Sequence, residues 1–280
     1  MVKLKNEYLE VSVKLLGAEL TSIVSSQLEI LWDGGEYWRK QSPLLFPFIG
    51  TLNKGKYSYK DNEYEMKSHG FISTMNFNVD SLKSTKVVLS CSDNEETLKI
   101  YPFKFKFTIC YELISTSIVI TTHIENLNEF DMYYNLGFHP GFAYNAIDKY
   151  KVSFEGVNPK EVFYNPVNIY DVKSVILKDL NNIELSKEIL EKGTVCFKDI
   201  SLIKLTSDKV DLTFTGDFDS VALWQSHPEN PKFLCIEPWI GLPDYANDII
   251  DITKKENLNS LSSNNKVIYK WKLDITRKGH

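Results

Sequence analysis

Residues 135–142, with the sequence Asn-Leu-Gly-Phe-His-Pro-Gly-Phe, follow an apolar strand-like run, and the rest of the chain is organised around them. Proline favours extended backbone at the residue before it, here His139, while Gly137 and Gly141 remove side-chain bulk on both flanks. We therefore expect a ligand or another backbone to approach closely at His139. The alternative is a core histidine whose ring nitrogens are satisfied by protein groups, a common situation at the end of an apolar strand.

The remainder of the chain shows short apolar runs with period-two alternation, separated by turn-forming residues. This pattern predicts antiparallel β-strands, including a hairpin with arms at 57–59 and 63–66. The proline-broken run at 44–50 predicts an edge strand or an irregular crossing. Shorter elements are expected as strands at 98–101 and 172–177, a helical turn at 187–190 and a short helix beginning at Thr253. No linker or repeat divides residues 1–280, so we expect an all-β fold with a few short helices: one large antiparallel β-sandwich domain.

Composition narrows the class of partner. The 280 residues include 32 basic and 37 acidic side chains, giving a net charge of −5 without long runs of either sign. Neither nucleic acid nor an anionic membrane is expected to bind, and a neutral small molecule is favoured. The start of the chain lacks the apolar core of a signal peptide, which predicts a cytoplasmic protein. Four widely spaced cysteines indicate reduced, buried thiols rather than disulfides or a zinc site; they are Cys91, Cys110, Cys196 and Cys235.

A second informative stretch is Phe233 to Trp239, with the sequence Phe-Leu-Cys-Ile-Glu-Pro-Trp. Its unbroken apolar character predicts a central strand buried on both faces, and the following proline holds Glu237 extended. A carboxylate buried there must be paired, hydrogen-bonded or functional, and its burial raises its pKa. Glu237 thus either closes a loop through backbone amides or belongs to a functional site.

Other polar side chains are weaker candidates. His69 precedes a glycine and follows the predicted hairpin, Asn135 shares a period-two face with His139, and His227 remains undecided. Two histidines and Glu237 would suit a metal triad, but no closely spaced histidine pair exists to seed one, so no metal is predicted. The chain also lacks a Gly-x-Ser-x-Gly elbow and a phosphate-cradling glycine loop.

Five segments, in order along nearly the whole chain, resemble one enzyme family. They are 17–23 (Gly-Ala-Glu-Leu-Thr-Ser-Ile), 45–50 (Leu-Phe-Pro-Phe-Ile-Gly), 69–71 (His-Gly-Phe), 135–142 and 237–241 (Glu-Pro-Trp-Ile-Gly). Together they resemble the aldose 1-epimerase (galactose mutarotase) family, particularly its LacX-like bacterial branch. The resemblance implies a galactose mutarotase-like β-sandwich with an open cleft for a sugar ring and no cofactor.

The resemblance also implies residue roles. Glu237 would be the general base, His139 the general acid and His69 a substrate-positioning residue. Apart from the resemblance, Trp224 or Trp239 is a candidate for stacking on the apolar face of the sugar, with a core role as the alternative for either, and Asn135 is a further substrate-binding candidate. The sequence leaves open whether the protein forms a homodimer.

The chain departs from the family at two positions. The family usually carries arginine where this chain has Thr51 and Ser73, and arginine's forked donors grip sugar hydroxyls. We expect Asn53 or Lys54 to replace part of that contact. The loss weakens a sugar-phosphate hypothesis, which Lys54, Lys56 and Lys67 nevertheless leave open.

The predicted activity is that of a cytoplasmic isomerase of carbohydrate metabolism. Interconverting the α and β anomers of an aldose requires one group that removes the proton of the anomeric hydroxyl and one that protonates the ring oxygen. Each group donates and accepts in turn, which favours pKa values near neutrality. The competing hypotheses are a non-catalytic carbohydrate-binding or sugar-sensing protein on the same fold and a metal-dependent β-sandwich enzyme.

Overall fold

Antiparallel β-strands form most of the computed structural model, which describes residues 1–143, 151–155, 162–165, 183–184, 193–226, 232–245 and 249–278. The strands, in chain order, are β1 Val2–Lys5, β2 Leu9–Val13, β3 Leu20–Ser25, β4 Leu28–Glu29, β5 Leu44–Leu45, β6 Lys56–Tyr59, β7 Asn62–Glu65, β8 Asn78–Lys83, β9 Lys86–Ser92, β10 Phe105–Ile114, β11 Ser117–Asn126, β12 Met132–Tyr134, β13 Leu136–Phe138, β14 Gly141–Ala143, β15 Lys151–Glu155, β16 Val162–Asn165, β17 Ile183–Glu184, β18 Thr194–Lys198, β19 Leu202–Thr206, β20 Val210–Gly216, β21 Ser220–Trp224, β22 Phe233–Ile240, β23 Asn259–Leu261 and β24 Lys266–Arg277. The helical segments are α1 Glu95–Ile100 and 3-10 turns at Asn53–Gly55, Ile72–Thr74 and Ile252–Lys254.

Two large sheets dominate the architecture. One has nine strands in the order β17-β15-β19-β20-β24-β11-β10-β9-β8, and the other has seven strands, in which β13 lies between β22 and the edge strand β5. Rings from the two sheets meet between them: Phe138 stacks on Trp271 with centroids 5.9 Å apart, and Phe154 lies 4.4 Å from Phe197. The predicted β-sandwich is confirmed, and so is the edge position of the proline-broken run.

Strand β10 in the nine-stranded sheet shows why the sandwich forms. Phe105, Phe107, Ile109 and Tyr111 alternate with more exposed residues and are fully buried. Period-two alternation sends one face of such a strand into the core and the other towards solvent. The hydrophobic effect then holds the apolar face of this sheet against its partner.

Strand β22 in the seven-stranded sheet is buried along all of its length, as its apolar sequence predicts. On one face, Leu234 and Ile236 join the core between the sheets. On the opposite face lie Glu237 and Trp239, which line a cavity. The fold therefore places a carboxylate on the face of β22 that points away from the core between the sheets.

Several local predictions need correction. Residues 98–101 are not a strand; they belong mostly to α1, because Asn94 caps the backbone N–H groups of Glu96 and Thr97. The turn predicted to begin at Thr253 is capped instead by Asp251. The predicted hairpin is confirmed as β6 and β7. The elements expected at 172–177 and 187–190, and His227, lie outside the described residues.

Within the part of the chain that the structure describes, no helix combines the length and apolar composition needed to cross a membrane.

Candidate active site

Strand register brings His139 and Glu237 together. Gly137 pairs with Trp239 and Gly141 pairs with Cys235, so two residues inward from either pair His139 lies opposite Glu237. The ladder is interrupted there, because the His139 N–H donates to the Pro43 carbonyl on the other side, at 3.0 Å. Two side chains from distant parts of the sequence thus share one position in the sheet.

The two side chains are in direct contact and almost fully buried. His139 Nε2 lies 3.3 Å from Glu237 Oε1, and the residues are 6% and 1% exposed. The remaining polar atoms of the pair, His139 Nδ1 and Glu237 Oε2, have no hydrogen-bond partner within the described part of the chain. Unpartnered buried polar atoms are costly, which marks this pair as a site rather than a structural clamp.

Burial sets the protonation of the pair. Desolvation raises the pKa of the Glu237 carboxyl well above its usual range. The Trp239 indole opposes this shift, although its N–H makes no hydrogen bond of normal geometry. Desolvation, followed by the nearby His69, lowers the pKa of His139 well below its usual value. Both shifts favour the neutral form of each side chain, with the proton that the pair shares on Glu237 rather than on His139. The direction of the His139 shift differs from the expectation that this histidine titrates near neutrality.

His69 is held next to this pair by an unusual backbone conformation. It has a φ of 66°, and its ring centroid lies 5.5 Å from that of His139. The Gly50 N–H donates to His69 Nδ1 at 3.1 Å, which leaves the proton of the neutral ring on Nε2. Desolvation and the charge of Lys40 lower the pKa of His69 to about 4. His69 keeps part of its surface open to the cavity and can offer one N–H donor there.

Aromatic rings form a wall of the site. Trp38 stacks on His139 with centroids 5.0 Å apart, and Trp224 meets the same ring edge-on at 5.6 Å. Gly141 permits the first contact, because a Cβ there would lie 2.9 Å from the Trp38 ring. The bulk removed by this glycine is thus occupied by a tryptophan side chain rather than by another backbone.

These residues surround a cavity of about 270 Å³. Its described lining is Trp38, Lys40, Pro43, Leu45, Gly50, Ser68, His69, Ser73, His139, Thr194, Trp224, Glu237, Trp239 and Pro243. The cavity gathers five of the candidates that the sequence predicts: Glu237, His139, His69, Trp224 and Trp239. Sequence reasoning missed Trp38 and Lys40, which lie in an irregular loop between β4 and β5 without periodicity to mark them.

The chain is similar to known proteins along its length. A family model described as aldose 1-epimerase matches residues 1–250. The chain belongs to the aldose 1-epimerase family. Protein LacX (plasmid) of Lactococcus lactis subsp. lactis is 28% identical, over 100% of this chain and 97% of LacX. Among solved structures, a galactose mutarotase-like protein from Lactobacillus casei is 26% identical, with a TM-score of 0.93 over 99% of this chain and 100% of that one. A galactose mutarotase related enzyme from Lactobacillus acidophilus is 24% identical, with a TM-score of 0.93 over 98% and 97%.

Two predicted substrate-binding residues of this aldose 1-epimerase family member do not line the cavity. Asn135 is 1% exposed; its amide donates to the Leu242 carbonyl at 2.9 Å and accepts from Asn259 at 3.1 Å. Gly241 is required beside it, since a Cβ there would lie 1.9 Å from Asn135 Oδ1. Asn135 therefore shapes the turn after β22. Asn53 contributes its backbone N–H to Asp244 at 2.8 Å, outside the lining.

A metal ion has one candidate set of ligands among the described residues. The ligand atoms of His139, Cys235 and Glu237 all lie within 4.8 Å of one another. Burial raises the pKa of the Cys235 thiol well above its usual range, as does the nearby Glu237. Because metals bind the thiolate, this environment disfavours a metal at Cys235. The chemistry of the donors fits acid–base work by His139 and Glu237 better than metal binding.

Proposed function

We propose that the protein is an aldose 1-epimerase that interconverts the α and β anomers of an aldose by general acid–base catalysis. The observation that carries this proposal is the buried contact of 3.3 Å between His139 Nε2 and Glu237 Oε1 in a cavity walled by aromatic rings. Membership of the aldose 1-epimerase family supports it.

The reaction needs two coordinated proton transfers. Glu237 removes the proton of the anomeric hydroxyl; the electron pair forms the C1 carbonyl, and the C1–O5 bond breaks. His139 delivers a proton to O5, so that the open aldehyde is neutral. Rotation about the C1–C2 bond followed by the reverse transfers closes the ring with the other anomeric configuration. Each well-placed proton transfer contributes roughly 10²- to 10⁴-fold in rate.

The buried pair can hold its shared proton as this order of steps requires. Ring opening starts with the shared proton on His139 and ends with it on Glu237, and burial favours the second arrangement. Before ring opening, transfer of this proton from Glu237 to His139 across the 3.3 Å contact prepares the first arrangement, and ring closure by the reverse transfers restores it. Sugar hydroxyls that replace water near the pair supply hydrogen bonds to the charged form, which the apolar walls do not.

The other lining residues suit a pyranose. The face of Trp38 or Trp224 offers an apolar surface for sugar C–H groups, while His69 Nε2 offers a hydroxyl partner. Small-molecule sites are typically apolar pockets into which a small number of polar groups point.

The test is polarimetry or proton-exchange NMR on freshly dissolved α-glucose and α-galactose, with heat-unfolded protein as control. The buffer must be dilute, because buffer acids and bases catalyse the same reaction. Acceleration by native protein, but not by heat-unfolded protein, supports the proposal. Saturable sugar binding by calorimetry without acceleration would instead support the sugar-binding hypothesis and reject catalysis.

A further inference from the structure

Lys40 is a basic residue of the cavity that the proposed reaction does not use. Its ammonium donates to Ser73 Oγ at 3.0 Å, and both side chains line the cavity. Ser73 stands where the family resemblance places an arginine. Two separate segments of the chain thus bring an ammonium group and a hydroxyl group together at the cavity.

The charge of Lys40 is not balanced within the described lining. The other ionisable groups there are His69, His139 and Glu237; desolvation lowers the pKa of both histidines and raises that of Glu237, which favours the neutral form of each. Desolvation also lowers the pKa of Lys40, and the nearby Glu19 opposes this shift; Glu19 is paired with Lys14 and accepts from the Gln41 N–H. Lys40, Lys14 and Glu19 together therefore leave one net positive charge beside the cavity. A cation beside low-dielectric walls attracts an anion strongly.

The donors at this point exceed the acceptors. The Lys40 ammonium has three N–H groups, of which one is used by Ser73, and the Ser73 hydroxyl that accepts this bond retains its own proton. A carboxylate or phosphate oxygen accepts several such bonds at once, whereas a neutral hydroxyl accepts fewer and carries no charge.

We propose that Lys40 and Ser73 form a subsite for an anionic substituent of the aldose, either a carboxylate or a phosphate. This inference rests on the proposed function for the identity of the ligand as a sugar. Lys40 is then a specificity-determining residue, because it separates charged aldoses from neutral ones while the acid–base pair acts on the anomeric centre common to both.

The experiment compares galactose, galacturonate and galactose 6-phosphate by calorimetry and by anomerisation NMR. We expect native protein to favour at least one anionic sugar by about tenfold or more over galactose, in Kd and in kcat/KM. The preference should fall with added salt. Lys40→Met should abolish it, Lys40→Arg should retain part of it, and Ser73→Ala should reduce it. Lys67→Met, an exposed lysine outside the cavity lining, should leave it intact.

The outcomes distinguish a carboxylate from a phosphate, and they distinguish the anion subsite from the proposed catalytic activity. Preference for galacturonate alone assigns a carboxylate, and preference for galactose 6-phosphate alone assigns a phosphate. Equal binding of all three sugars by native protein, or a preference that survives Lys40→Met, would overturn the subsite even if every sugar is turned over. Conversely, anion-selective binding that depends on Lys40 without turnover would uphold the subsite and reject catalysis.

Discussion

The Glu237 carboxyl and the His139 imidazole touch at 3.3 Å because two short ladders, one on each side of His139, hold the same register against β22. Their separation is fixed by the central part of a sheet, which is a rigid support for catalytic groups. The pair is preorganised, and its energetic cost is the burial of polar atoms that lack partners.

Replacing Glu237 by glutamine should lower kcat by roughly 10²- to 10⁴-fold, because the amide keeps the size of the side chain but cannot accept the anomeric proton. The melting temperature should change little, because the amide is neutral and burial raises the pKa of the native carboxyl towards its neutral form. Glu256→Gln, the same change at an exposed position, should leave kcat unaltered. Full activity of Glu237→Gln in the anomerisation assay would exclude Glu237 as the base.

The acid limb of the pH–rate profile should lie well below pH 6.5, the ordinary pKa of histidine. The lowered pKa of His139 means that the pair gains a second proton only well below that value. The raised pKa of Glu237 means that the pair loses its last proton only well above 4.5. The one-proton form therefore lies between these two limits, and kcat/KM should decline outside them. A half-maximal point at pH 6.5 on the acid limb would show that His139 titrates as if exposed.

Gly70→Ala and Gly55→Ala separate steric from conformational effects. Both glycines have a φ of +70°, but a Cβ at Gly70 would lie 2.3 Å from the Phe46 carbonyl oxygen, whereas a Cβ at Gly55 would meet no atom within 4 Å among the described residues beyond its chain neighbours. Gly55→Ala should reduce the free energy of unfolding by about 1–2 kcal/mol, the cost of left-handed backbone. Gly70→Ala should cost at least about 3 kcal/mol and weaken sugar binding, since His69 precedes it. Urea denaturation measures both values; equal losses would contradict the close approach at Gly70.

The buried pair of Lys255 and Asp244 should matter more for stability than any exposed ion pair. These side chains are 1% and 4% exposed, and Asp244 also accepts the Asn53 N–H. Lys255→Met leaves a buried carboxylate without its cation and should cost about 3–5 kcal/mol of unfolding free energy. Lys99→Met, which removes the exposed pair with Glu96, should cost less than about 1 kcal/mol. Similar losses in chemical denaturation would contradict this difference.

The local patterns predicted much of the fold. Alternation in β10 and the unbroken apolar run of β22 follow from the burial of one or both faces of a strand, so each can be recognised from neighbouring residues. Residues 98–101 show the limit: their apolar types suited a strand, but capping by Asn94 decided for α1.

By itself, the sequence determined which residues face the interior. It also determined that Glu237 is a polar residue buried in an apolar strand. It could not determine what meets Glu237, because that depends on the register of strands far apart in the chain. Only the tertiary structure placed His139 across from Glu237, brought Trp38 and Lys40 from an irregular loop to the cavity, and turned Asn135 towards Leu242 instead. Side-chain types and spacing record local preference, whereas a site is built by long-range strand pairing, which no short pattern encodes.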